Sequence, residues 1–196
     1  MKFPHPHLKT LSHRDQIGNW LNGQGLTGKG VEVGVLFGGY SAIILSQWRG
    51  HLLCVDPWVN QPKETYHDGM NLLNMEEVYQ QAVRNLGHLH RATVVRKFSL
   101  DAAAEIPDGS LDFVYLDGNH ALPAIRADIA AWWPKVKIGG LFAGHDFNIR
   151  YDNDTNSDAQ TAVMEFSEKV DVWPQVAWCM SWWFIKTQEM VDRYHG

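Results

Sequence analysis

The chain has 196 residues, 17 Lys plus Arg against 22 Asp plus Glu, a net charge of -5 and 45% hydrophobic content. That size suits one domain with a packed core, and the acidic balance supplies no field to gather nucleic acid or an anionic membrane surface. Cys54 and Cys179 form neither a disulfide framework nor a metal-ligand spacing. There is also no membrane-length apolar run and no hydrophobic leader in "MKFPHPHLK", so a soluble, cytoplasmic protein is expected.

In chain order, "SHRDQIGNWLNGQG" predicts a short helix capped by Ser12, because Ile17, Trp20 and Leu21 recur at helical spacing. "GVEVGVLFG" reads as a first strand and "YSAIILSQWRG" as a helix closed by Gly50. A second strand, "HLLCVDPW", stops at Asp56-Pro57. The polar stretch Val59 to Asn74 reads as a long surface loop. "MEEVYQQAVRNLGHL" has a helical period, "ATVVRKF" is a third strand, and "SLDAAAEIPDG" gives a short helix and a turn. "LDFVYLDGNH" is a fourth strand ending in an acid, "ALPAIRADIAAWWPKVK" its helix, and "GGLFAGHDF" a fifth strand, again ending in an acid. The polar loop "RYDNDTNSD" precedes the helix "AQTAVMEFSEKV", and "QVAWCM" with "SWWFIKT" reads as an antiparallel pair.

This alternation predicts an α/β fold: a doubly wound, Rossmann-like, mostly parallel sheet between two helical layers, with a C-terminal antiparallel hairpin. One domain is expected over residues 1–196: a lead and helix over 1–29, the core sheet over 30–187, and a tail over 188–196. The pattern leaves the oligomeric state open, a homo-oligomer included. Ligands of such sheets sit beyond the carboxyl ends of the strands. That rule selects Gly34 to Ser41, Asp56, Ser99, Asp117 to His120, and His145 to Asn148.

The glycines after the first strand are Gly34, Gly38 and Gly39, a spacing that matches neither the dinucleotide fingerprint nor a Walker A loop. Glu32, just before them, would repel phosphate and attract a cation, so the expected ligand carries an amine or sulfonium. Asp56, at the end of the second strand, suits a ribose diol, since a carboxylate accepts from both hydroxyls. Read singly, Glu32 could be a salt-bridged strand residue and Asp56 a turn-former before Pro57. At this spacing they favour an adenosine-type ligand without phosphate.

"VEVGVLFGGYSAIILSQWRGHLLCVDPW" with "LDFVYLDGNH" and "GGLFAGHDF" resembles class I S-adenosylmethionine-dependent methyltransferases, of the small branch related to macrocin-type and catechol-type O-methyltransferases. The resemblance runs from about Leu21 to Lys186. It implies a methyltransferase with S-adenosylmethionine as cofactor and a small-molecule acceptor, methylated on a hydroxyl. It also implies Glu32, Gly34, Gly38, Tyr40 and Ser41 near the methionine moiety, Asp56 on the ribose and Ser99 near adenine, with Asp117 beside the cofactor. Many relatives carry an acid where Gly39 stands. A cofactor-binding module without catalysis, and a nucleotide-cofactor oxidoreductase on a similar sheet, are the alternatives.

On the acceptor side, methyl transfer from a sulfonium requires a nucleophile placed in line and, where needed, a base. Asp117 and Asp146 could hold Mg²⁺, as catechol-type relatives imply for these positions, although those enzymes pair Asp with Asn where this chain reads "HDFN". Alternatively His120 or His145 is the general base. Strand alternation turns His145 away from Asp146 and favours His120. His5, His7 and His13 read as surface decoration on the lead. Trp173, Trp178, Trp182 and Trp183 read mostly as core, one or two of them lining an aromatic acceptor pocket, and Trp58 is placed to pack on adenine.

Overall fold

The computed structural model describes residues 11–62, 72–147 and 157–195. Five parallel strands follow in chain order: β1 (Lys29–Val33), β2 (His51–Asp56), β3 (Ala92–Arg96), β4 (Leu111–Leu116) and β5 (Val136–Gly144). Two short strands, β6 (Gln175–Val176) and β7 (Trp182–Ile185), complete a seven-stranded sheet of order β3-β2-β1-β4-β5-β7-β6. β7 runs antiparallel to both β5 and β6, as the apolar pair at the C-terminal end of the sequence leads one to expect.

Helices cover both faces: α1 (Ile17–Gly23), α2 (Gly39–Gln47) and α3 (Met75–Leu86) on one, and α4 (Ser99–Ala104), α5 (Leu122–Trp132), α6 (Asp158–Val170) and α7 (Gln188–His195) on the other. β4 shows why the sheet must be covered twice. All six of its residues are buried, and from Phe113 to Leu116 successive side chains alternate between the two cores. Phe113 and Tyr115 join Leu21, Trp48 and Trp183, whereas Val114 and Leu116 join Trp132, Phe142 and Phe166. Each such side chain contributes about 1.5–3 kcal/mol on leaving water, so the central strand anchors both layers.

The helix ends follow from local chemistry. The Asn74 side chain accepts from the N–H groups of Glu76 and Glu77 to start α3, and Ser157 Oγ accepts from Gln160 N at 3.0 Å to start α6. Pro123 lies in the first turn of α5, where a missing N–H costs nothing. Three boundaries depart from the expected ones. Ser12 does not cap α1. A 3₁₀ turn, Arg14–Gln16, comes first, its entry capped by His13 Nδ1 accepting from Asp15 N at 3.2 Å, so His13 is structural. α2 stops at Gln47, before Gly50, and β5 starts at Val136, before the glycine pair Gly139-Gly140. The tail over 188–195 is helical and docks through Met190. Among the described residues no helix is long and apolar enough to cross a membrane.

Candidate active site

The strand order reverses at β1, between β2 and β4, and there a cavity of about 670 Å³ opens beyond the carboxyl ends. Its lining brings together Glu32, Gly34, Gly39, Tyr40, Asp56, Ser99, Asp117 and His120. Those positions are separated by up to 88 residues in sequence and meet because parallel strands put all their carboxyl ends on one edge.

Gly34 lets the loop turn out of β1. Its φ is +87°, and any Cβ would collide with the Asp117 carbonyl of the neighbouring strand. The loop is then tied down by Asp56. Oδ2 of Asp56 accepts from Val35 N and Leu36 N, both at 3.0 Å, and Oδ1 accepts from Trp58 N at 2.7 Å. One carboxylate oxygen is thus committed to the loop, leaving Oδ1 as the atom with a lone pair to spare. Burial raises the pKa of Asp56 above the usual carboxylate range, with the three N–H bonds opposing the rise.

Glu32 is 1% exposed and faces α2, where Ser41 donates to its Oε2. Burial, opposed by that hydrogen bond, pushes its carboxyl up to about 8. A cation entering the cavity would find there a carboxylate with no cationic side chain bonded to it among the described residues. Ser41 itself is fully buried behind Glu32 and orients it. Gly38 opens α2 at φ +79° without lining the cavity.

Trp58 corrects the expectation that it packs on adenine. With φ +45° its ring folds back beneath the glycine loop, 1% exposed, donating Nε1–H to the Leu36 carbonyl at 2.8 Å and packing on Tyr79. Apolar side chains that do line the cavity include Phe98 and Leu100, with Ala124 and Ala127 of α5.

Around Asp117 and His120, which line the cavity, four titratable groups converge. His120 Nε2 lies 2.9 Å from Asp146 Oδ2 and 3.7 Å from Asp117 Oδ1. His145 Nδ1 lies 3.1 Å from Asp146 Oδ1 and 3.7 Å from Asp117 Oδ1. The expectation that His145 and Asp146 point apart fails because Asp146 has φ +61°, which breaks strand alternation just past β5. His145 Nε2 donates to the Cys179 carbonyl at 3.0 Å, leaving Nδ1 to face the acids. Burial works against the charged imidazole of His120, but the carboxylates of Asp117 and Asp146 outweigh it and lift it to about 10. Burial would raise Asp146, and the two histidines hold it well below the usual range instead. His120 Nε2 and Asp146 Oδ2 are nevertheless buried without a well-directed hydrogen bond, and ligand atoms of Asp117, His120 and Asp146 all lie within 4.8 Å of one another.

Two residues of this site had gone unnoticed in the sequence. Arg14, in the 3₁₀ turn, places Nη1 3.3 Å from Asp117 Oδ2 and its guanidinium 4.6 Å from the Tyr40 ring, while Tyr40 OH donates to the Arg14 carbonyl at 2.9 Å. Nothing in the lead marks this arginine out. Asp128 is 7% exposed and lines the cavity, and here a signal existed: it shares the apolar stripe of α5 with Ile125, Ile129 and Trp132. The surface loop expected over Val59–Asn74 and the polar loop over Arg150–Asp158 fall largely within 63–71 and 148–156, outside the described residues.

A doubly wound sheet with a ligand cavity at its switch point and an acid ending each of β2 and β4 defines a Rossmann-like methyltransferase fold. Residues 31–147 match a methyltransferase-domain family, and the chain belongs to it. The oxidoreductase alternative is thereby set aside. A curated protein of Sinorhizobium fredii, itself uncharacterised, is 26% identical over 151 residues, which is 74% of this chain and 16% of that protein. This chain therefore corresponds to a small part of that relative. Among solved structures, the O-methyltransferase NovP superposes with a TM-score of 0.67 at 19% identity, over 89% of this chain and 78% of that one. An O-methyltransferase of Bacillus cereus in complex with S-adenosylhomocysteine gives 0.61 at 14% identity, over 92% and 84%. The O-methyltransferase TomG of Streptomyces achromogenes, involved in tomaymycin synthesis and in complex with S-adenosylmethionine, gives 0.60 at 14%, over 92% and 83%. At these identities the likeness is one of fold.

Proposed function

We propose that the protein transfers the methyl group of S-adenosylmethionine to a hydroxyl of a small-molecule acceptor. The observation that carries this reading is the single cavity that joins a buried, cation-seeking Glu32 and the strand-end Asp56 to the Asp117–His120 cluster. A ligand with an amine or sulfonium at one point and a ribose at another fits that order, and a phosphate does not. The Bacillus cereus and TomG structures, both O-methyltransferases with S-adenosylhomocysteine or S-adenosylmethionine bound, support the same choice.

In this reading Glu32 faces the cationic methionine moiety, Oδ1 of Asp56 takes a ribose hydroxyl, and the flanks around Phe98 and Ala127 hold adenine. The acceptor oxygen comes to the end lined by Asp117 and His120, opposite the sulfonium methyl, so that the displacement runs in line. Oxygen donors from Asp117 and Asp146, and nitrogen from His120 once the proton that the two carboxylates favour is displaced, fit a divalent ion: the atoms converge, and two of them are buried without a directed partner. A set containing imidazole suits Mn²⁺ at least as well as Mg²⁺, and such an ion, when bound, would supply Lewis acidity to the acceptor hydroxyl. Arg14 and His145 hold Asp117 and Asp146 in place from the outer side.

The net charge of -5 and a cavity of about 670 Å³ support a small acceptor over a polyanion. The test is turnover with labelled S-adenosylmethionine against a panel of phenols, catechols and sugar hydroxyls, with and without Mn²⁺ or Mg²⁺. Transfer of label to an acceptor oxygen is the expected result. Cofactor binding without transfer to any panel member would favour the non-catalytic module, and absence of cofactor binding would overturn the reading altogether.

A further inference from the structure

Asp128 is a carboxylate on an otherwise apolar helix stripe, 7% exposed, and it lines the cavity beside Phe98, Leu100, Ala124 and Ala127. A buried acid costs stability unless its oxygens are bonded. Oδ1 is bonded, since Ser99 Oγ donates to it at 2.5 Å, and Ser99 Oγ in turn accepts from Trp132 Nε1 at 2.8 Å. Oδ2 receives no hydrogen bond among the described residues. The hydroxyl of Ser99 is therefore spent on orienting Asp128, and the acceptor left for a ligand is the carboxylate. Asp101, the other acid on this flank, is exposed and solvated, so it discriminates far less.

Resting on the S-adenosylmethionine reading above, we infer that Asp128 is the residue that selects adenine, accepting a hydrogen bond from the exocyclic amine, with Ser99 and Trp132 as positioning residues. Between the apolar flanks of Phe98 and Leu100 and the small side chains of Ala124 and Ala127, a purine ring would present its edge to the buried carboxylate of Asp128. A carboxylate offers only acceptors. It therefore rewards the amine of adenine and rejects the carbonyl oxygen that hypoxanthine carries at the same place.

The experiment is calorimetric titration of the wild-type chain, Asp128→Asn and Ser99→Ala with S-adenosylhomocysteine and with S-inosylhomocysteine. The wild type should prefer the adenosyl ligand by about 100-fold or more. In Asp128→Asn the amide oxygen keeps the Ser99 bond and turns its NH₂ to the ring edge. The adenosyl ligand should then weaken by about 10- to 100-fold and the inosyl ligand tighten, collapsing or inverting the preference. Ser99→Ala should lower the preference without inverting it. Thermal unfolding reports whether each variant is folded, and if Asp128→Asn is not, the wild-type ratio and Ser99→Ala decide. Equal wild-type affinity for the two ligands, or an unchanged ratio in folded Asp128→Asn, overturns the assignment of Asp128 while leaving the cofactor reading intact. A wild type that binds neither ligand overturns both.

Discussion

If Glu32 faces the cationic methionine moiety as proposed, cofactor binding is a proton-linked event. Its burial places the carboxyl at about 8, so the ligand-free protein is about one-tenth ionised there at pH 7 and half ionised at pH 8. If the cationic methionine moiety binds the ionised form, each association at pH 7 expels close to one proton. The apparent affinity should then rise about tenfold from pH 6 to pH 7, about fivefold more to pH 8, and level off above. Titration of S-adenosylmethionine in two buffers of unlike ionisation enthalpy counts the protons directly. Glu32→Gln preserves shape and the Ser41 bond while removing the titration, so any remaining slope belongs to the ligand's own amine. At pH 8.5 that variant should bind about 10- to 150-fold more weakly. Affinity that is flat from pH 6 to 8 with no proton released would refute the reasoning.

The same group sets a stability slope. The folded-state pKa of Glu32 is raised, from 4.5 to about 8, so the stability of the protonated form is complete at acid pH and is lost as pH climbs through that window. Urea titrations of Glu32→Gln should therefore show less loss than wild type between pH 5 and pH 8. Asp56→Ala strands three backbone N–H groups as well as removing the proposed ribose partner. It should destabilise the fold by at least about 2 kcal/mol and weaken S-adenosylmethionine binding by about 10- to 150-fold, seen by chemical unfolding and calorimetry. Gly34→Ala forces a side chain into the Asp117 carbonyl at a positive φ, and a loss of about 3 kcal/mol or failure to fold is expected in thermal melts. Arg14→Ala frees Oδ2 of Asp117, and Mn²⁺ titration should show tighter binding than in wild type.

The sheet was legible because β1, β2, β4 and β5 are apolar runs that the chain can only bury on both faces, and because each breaks into glycine or acid at its carboxyl end. The cavity followed from the same signal. What stayed hidden depends on single backbone turns or on distance. Alternation predicts opposite faces for His145 and Asp146, and only the left-handed φ of Asp146 brings both inward. Trp58 stands next to Asp56 in sequence, yet a second left-handed residue sends its ring under the loop. Arg14 reaches Asp117 across 103 positions, which no local pattern encodes. Asp128 was readable as an acid on an apolar stripe, and its pairing with Ser99 explains why a charge survives there.

The family match begins at residue 31 and ends at residue 147, while Arg14 and the Cys179 carbonyl, which bond to Asp117 and His145 of the titratable cluster, lie outside it. A chimaera that grafts residues 31–147 of this chain between the flanks of another methyltransferase would carry the cofactor floor intact. It would exchange the partner of Asp117 and the anchor of His145. The matched segment would bring its own carboxylates into surroundings that aim them differently, so cofactor affinity should travel with the graft while the rate of transfer changes with the flanks.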